Sequence, residues 1–275
     1  MYEEKIDCYN LSIDELHLLL KEAICIIDSV AREIGATYYL HAGTALGAIR
    51  HKGFIPWDED ADVIIPINNY EKLINALKAR DLGKFEILYY DKKATRMQAK
   101  IVLKGQDEDL MCVDLFPLIG TASSMEEQKL HDKQIARIRK IYKYKRLKYS
   151  ESTVWYKYIV KYMISEALSV FPDSYLYRKY NDLITKYPFE SAEFVTNPCG
   201  KYSTKNVLRK EIYGTPVFVE FEGKLFPIPA MIDPYLSHYY GDYMKCPSEE
   251  IINEMINSPH IFKGTLKQYQ ECIHQ

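Results

Sequence analysis

Three carboxylates stand at every second position in Trp57-Asp58-Glu59-Asp60-Ala61-Asp62, and the chain then runs directly into Val63-Ile64-Ile65. Side chains alternate across a strand, so Asp58, Asp60 and Asp62 would share one face with Glu59 pointing away. The β-branched run behind them is that of a buried strand whose polar beginning protrudes at the sheet edge. Three anions so placed repel one another unless a cation lies among them. Hard oxygen ligands at this spacing suit Mg²⁺, which takes one or two protein carboxylates, keeps several waters and completes its shell with substrate phosphates. Phosphoryl chemistry is the first expectation.

Two neighbouring segments converge on the same place. Tyr38-Tyr39-Leu40 reads as a strand, and Gly43-Thr44-Ala45-Leu46-Gly47-Ala48 as a tight turn opening a helix. The free N–H groups of such a helix start attract anions, and the missing Cβ permits close approach. An ordinary turn with a helix cap fits Gly43 and Thr44 as well. Met111 to Pro117 is a short apolar strand with Asp114 in its middle. A buried carboxylate is costly unless paired or metal-bound, so Asp114 is expected to face the same cation as Asp60 and Asp62. An arginine or local backbone donors would satisfy it otherwise.

Around these segments the pattern is that of a layered α/β or α+β fold. Ser12-Ile13-Asp14-Glu15 is a capping box, followed by Leu16, Leu19, Leu20, Ala23, Ile24, Ile27 and Val30 at helical spacing, with Gly35 as the stop. A second helix is expected after Asn68, with Glu71 completing a similar box. Strands are expected over 85–90, 97–103 and 111–116, and a hairpin over 217–228 with Glu222-Gly223 at its turn. Asp233 to Tyr240 reads as a short helix ending at Gly241. Three regions follow: a core over 1–123, a helical basic and aromatic insertion over 124–190, and a C-terminal part over 191–275 that completes the core and the substrate pocket. Within the insertion, Arg137, Arg139, Lys140, Lys143, Lys145, Arg146 and Lys148 alternate with tyrosines, and Trp155, Tyr156, Tyr158, Ile159, Tyr162 and Met163 follow. Such a segment, 137–163, suits an anionic membrane surface or a polyanionic acceptor; a solvated basic face is the plainer alternative.

Composition excludes several classes. A net charge of −2 argues against general nucleic-acid binding. Six scattered cysteines without C-x-x-C spacing predict free thiols rather than a disulfide framework or a zinc site. No window approaches the ~18 to 20 apolar residues that span a bilayer, and no apolar signal segment opens the chain, so a cytoplasmic protein is expected.

The blocks GTALGAIRHKGFIPWDEDADV, VDLFPL and YGDYMKCPSEE followed by His260 resemble, in this order, the LicD family of phosphocholine and polyol-phosphate transferases. The chain departs from the family pattern at Ala61, where a larger isoleucine is frequent, and at Ile119, where an acid is frequent. The resemblance implies a nucleotidyltransferase-like mixed sheet core with flanking helices. It also implies transfer of a phosphorylated alcohol from a CDP-linked donor to a hydroxyl of a glycan or of its lipid-linked precursor, with one or two Mg²⁺ ions held by Asp60, Asp62 and Asp114. In that frame Asp58 is the candidate general base. Gly43, Thr44, Arg50, His51, Lys52, Lys100 and Lys104 are candidate phosphate or substrate contacts. Trp57, Tyr239, Tyr240 and Tyr243 are candidates for an aromatic cage around a trimethylammonium group, and His260 for a pocket role. His41 is expected to be structural. A nucleotide-adding enzyme on the same site and a non-catalytic glycan- or membrane-binding protein are the alternatives.

Overall fold

A computed structural model of the chain describes residues 12–89, 97–105, 111–145, 155–200 and 203–257. The elements run α1 (Ile13–Ile34), β1 (Tyr39–Leu40), α2 (Ala42–Arg50), β2 (Ala61–Pro66), α3 (Ile67–Lys78), β3 (Phe85–Leu88), β4 (Ala99–Leu103) and β5 (Cys112–Thr121). Then come α4 (Met125–Lys145), α5 (Trp155–Leu168), α6 (Asp173–Ile184), β6 (Phe194–Thr196), β7 (Leu208–Arg209), α7 (Lys210–Tyr213), β8 (Val217–Phe221), β9 (Lys224–Ile228), α8 (Ile232–Tyr240) and α9 (Glu249–Asn257).

The main sheet is mixed, in the order β1-β2-β5-β4-β3, with β6 and β7 continuing from the far half of β5. Among the described strands only β2 and β5 lie parallel, in the register Asp62 to Asp114 and Ile64 to Phe116. Their near-continuous burial follows from that central place, since layers cover both faces. α1 and α3 pack on one another and on β5. The capping box forms as expected: Glu15 N–H donates to Ser12 Oγ at 3.1 Å, and Ser12 N–H donates to Glu15 Oε2 at 2.7 Å. Leu16, Leu20, Ile24 and Ile27 are then fully buried in the shared core. Ile135 and Tyr142 of α4, and Leu176, Tyr180 and Ile184 of α6, belong to that same core. β8 and β9 form the expected hairpin. Both turn residues, Glu222 (φ 52°) and Gly223 (φ 74°), lie in the left-handed region, as a two-residue turn matched to strand twist requires.

Three expectations need correction. α3 begins at Ile67, with Pro66 as the residue before it, so Asn68 lies inside the helix. Glu71 completes no box; its carboxylate accepts instead from the Tyr89 hydroxyl. β5 runs on through Pro117 to Thr121. Tyr70 Oη accepts from Ala99 N–H and donates to Leu115 O, each at 2.9 Å, so the backbone polar groups of Leu115 face β4. By two-residue alternation those of Pro117 face the gap between Ala99 of β4 and Thr196 of β6. The missing proline N–H therefore removes no ladder bond. Finally, β2 starts only at Ala61, so Asp58 and Asp60 stand on the loop before it and Asp62 alone is in the strand.

Among the described residues no helix is long and apolar enough to cross a membrane. Cys25, Cys112, Cys199 and Cys246 are free, while Cys8 and Cys272 lie outside the described residues.

Candidate active site

The register of three strands builds the floor of the site. Asp62 of β2 stands opposite Asp114 of β5, and Asp114 opposite Lys100 of β4, so the three side chains form a row across one face. Lys100 is buried, with Nζ 3.5 Å from Asp114 Oδ1 and 3.5 Å from Cys112 Sγ. Gln98 Nε2 donates to the same Asp114 oxygen at 3.2 Å, while Gln98 Oε1 is buried without a partner. Exposed Asp60 leans over this row. Among the described residues, Asp60, Asp62 and Asp114 form a group whose carboxylate oxygens come within 4.8 Å of one another, as a shared cation requires.

The first turn of α2 clamps Asp62 from the other side. Asp62 N–H donates to Thr44 Oγ1 at 2.8 Å, and His41 N–H donates to Asp62 O at 2.9 Å. Gly43 leaves room for Asp58, since a Cβ there would sit 2.7 Å from Asp58 Oδ2. The Asp58 carboxylate thus lies against a helix N-terminus, where the dipole favours an anion. Its pKa is nevertheless raised well above the ordinary value, by burial first and then by the charge of Asp60. Asp62 is raised for the same reasons, burial followed by Asp60 and Asp114, with Lys100 opposing. Desolvated, mutually repelling carboxylates of this kind fit a divalent cation in both donor type and charge.

The loop carrying Asp58 is fastened by contacts that no local sequence signal announces. His17 of α1 stacks on Phe54 with ring centroids 4.5 Å apart, and its Nε2 lies 2.8 Å from Asp58 O. A carbonyl oxygen only accepts, so His17 Nε2–H is the donor; burial lowers the His17 pKa. Phe54 N–H donates to Glu222 Oε1 at 3.2 Å, and Glu222 N–H donates to Lys52 O at 2.8 Å. These partners lie 41 and 168 residues from their targets in sequence, beyond any local motif.

The remaining candidates divide. Arg50 Nε donates to His51 Nε2 at 2.9 Å, and its Nη1 donates to Tyr243 O at 3.0 Å. The His51 ring meets Trp57 edge-on at 6.3 Å, so Arg50, His51, Trp57 and Tyr243 form one group at the end of α2. The Tyr243 hydroxyl donates to Asp233. Lys52 is exposed with φ 55°. Tyr240 is exposed beside half-buried Tyr239, which packs on Tyr235. Lys104 is not brought to the site: it stands beyond the opposite end of β4, exposed, 3.4 Å from Asp81. His260 lies outside the described residues. His41 is buried: Asn197 Oδ1 accepts from Cys199 N–H, which leaves Asn197 Nδ2 to donate to His41 Nε2 at 3.2 Å.

Residues 35–155 match the family model described as "LicD/FKTN/FKRP, nucleotidyltransferase domain". Over 264 residues, 90% of this chain and 92% of the other, the sequence is 28% identical to the lipopolysaccharide cholinephosphotransferase LicD of Haemophilus influenzae. Every acid of the site and both residues of the Gly43-Thr44 turn fall inside the matched span. Across residues 35–155 this chain is therefore similar to the nucleotidyltransferase domain of the LicD family.

Proposed function

We propose that the protein transfers phosphocholine, or a related phosphoalcohol, from a CDP-linked donor to a hydroxyl of a cell-surface glycan or its precursor and releases CMP. One observation carries this reading: the convergence of Asp60, Asp62 and Asp114 on one point within the segment that matches the LicD family model. The name of the Haemophilus relative supports choline as the alcohol and lipopolysaccharide as the acceptor class; teichoic acid and capsule repeats present the same hydroxyl chemistry. In this reading the protein works in the cytoplasm. Residues 1–123 and 191–275 form the catalytic unit and 124–190 a helical layer added to it.

The chemistry is an in-line displacement at phosphorus: the acceptor oxygen forms a new P–O bond as the bond to the CMP oxygen breaks. Asp60, Asp62 and Asp114 would hold Mg²⁺, which when bound neutralises diphosphate and transition-state charge. Lys100 and Gln98 fix the Asp114 carboxylate from behind. Asp58 sits beside the cluster on a fastened loop, against the start of α2, where it can reach an acceptor hydroxyl brought to the cluster. It takes the acceptor proton in the transition state. Trp57, Tyr239, Tyr240 and Tyr243 are the aromatic residues that would offer π faces to a trimethylammonium group.

Thermal shift with CDP-choline, CDP-ribitol, CDP-glycerol, CTP and ATP, each with and without Mg²⁺, tests this directly. A ligand at a hundredfold excess over its Kd stabilises by about 2.7 kcal/mol. A Mg²⁺-dependent shift with one CDP-alcohol, absent in Asp60→Asn, is expected. A shift with CTP or ATP alone would replace the reading by nucleotide addition. In turnover, Asp58→Asn should cost about 10²- to 10⁴-fold in kcat; a loss within a few-fold removes Asp58 as the base.

A further inference from the structure

Helix α5 turns its apolar side chains outward. Ile159 is 45% exposed, Val160 54%, Met163 64% and Ile164 38%. Positions 159, 160, 163 and 164 fall on one helical face and so form a stripe rather than isolated exposures. Contiguous apolar surface of this kind on a water-soluble face marks an interaction site.

A row of cations runs along α4, the helix against which α5 packs. Lys129, Lys133, Arg137 and Lys140 are all exposed and follow one another on α4 at spacings of four, four and three. Arg137 and Lys140 line a groove of about 370 Å³ together with Ile141, Tyr144, Ile164 and Leu168. Ile164 belongs to both the groove and the stripe, which places Arg137 and Lys140 beside the stripe's end. The Ser165 hydroxyl donates to Lys145 O at 2.8 Å and fixes α5 against α4. The acids on these helices are Glu126 and Glu127 in the first turn of α4, half-buried Asp132, and Glu166 on α5.

We infer that this face docks on an anionic phospholipid bilayer, with Ile159, Val160, Met163 and Ile164 entering the headgroup boundary and Lys133, Arg137 and Lys140 meeting lipid phosphates. A helix lying in the interface needs an apolar face and flanking cations, and both are present here. Each Lys or Arg near an anionic membrane adds about fivefold to partitioning. Charge decides against the other natural occupant, a second copy. A two-fold contact pairs the same patch with itself and would crowd two cation rows together, whereas an anionic surface complements them. The inference is independent of the transfer reaction proposed above, and its test needs neither donor nor acceptor.

The experiment is flotation of the full chain with vesicles of phosphatidylethanolamine and phosphatidylglycerol, set beside phosphatidylcholine vesicles, at low and physiological salt. The protein is expected to float with the phosphatidylglycerol vesicles alone, less so as salt rises. Arg137→Gln with Lys140→Gln should lower partitioning by at least about tenfold. Ile159→Gln with Met163→Gln should do the same, and both variants should keep the wild-type Tm because all four side chains are exposed. No flotation, equal flotation with phosphatidylcholine, or flotation unchanged in both variants would overturn the inference. So would a concentration-dependent dimer that Ile159→Gln with Met163→Gln abolishes in the absence of vesicle binding, which would give the face to a second copy.

Discussion

At Gly43 an added Cβ would lie 2.7 Å from Asp58 Oδ2, so the carboxylate occupies space that only glycine leaves open. The glycine-led turn suggested a seat for phosphate; in the structure its missing side chain first of all admits an acid. Gly43→Ala separates fold from chemistry. Alanine is better than glycine inside a helix by up to about 1 kcal/mol, so Tm should stay level or rise. Asp58 must move by the better part of an ångström, and misplacement of that size costs on the order of a hundredfold in kcat. Measured together, Tm and turnover give the outcome; full turnover in Gly43→Ala would mean that the Asp58 position is irrelevant to the reaction. The identities of the acids were legible because a strand's alternation and a lone carboxylate in an apolar run are local signals. Asp58 and Asp60 nevertheless sit on a loop rather than in β2, since pairing with β5 begins only at Ala61 opposite Val113. Their convergence comes from that loop's fastening, and neither His17 nor Glu222 has any mark in sequence that would announce it.

Where β4 ends, a single hydroxyl replaces the ladder. Tyr70 of α3 is buried, and its Oη bridges Ala99 N–H and Leu115 O, so the helix covering the sheet also closes the strand pair that carries Lys100 and Asp114. Tyr70→Phe keeps the ring's packing and strips both backbone groups of their partner. A buried donor or acceptor left unsatisfied costs about 1–3 kcal/mol. The urea midpoint should therefore fall at unchanged m-value; an unchanged midpoint would show that water reaches the strand end. At this scale the sequence was informative about α1, the hairpin and α8, whose caps and turn residues are local. It misjudged the start of α3 and the end of β5, because Tyr89 takes the Glu71 carboxylate and the gap between β4 and β6 absorbs Pro117. Both are decided by elements far along the chain.

Across the whole molecule, one buried node joins the C-terminal part to the catalytic turn. His41 precedes α2; its Nδ1 lies 2.6 Å from Tyr235 Oη of α8, and its Nε2 receives Asn197 from the segment after β6. Tyr235 Oη also accepts from Ala42 N–H at 3.0 Å, holding a non-glycine residue at φ 45°. Burial pushes the His41 imidazole down to about 3, so it stays neutral in the folded protein. In the unfolded chain it titrates near ~6.5. Below that value the unfolded state binds a proton that the folded state refuses, and stability is lost as pH falls from ~6.5 toward ~3. Asp58 and Asp62 act in the opposite sense, since their raised pKa values mean that protonation on acidification relieves the folded state. The bulk acid limb mixes these contributions, but the difference between wild type and His41→Gln isolates the imidazole. Urea unfolding at pH 7 and pH 5 should show the wild-type advantage over His41→Gln shrinking by about 2 kcal/mol. A difference that stays flat between the two pH values would mean that His41 takes up its proton in the folded state. The node would then be open to water, and the C-terminal part would be free to leave the first turn of α2.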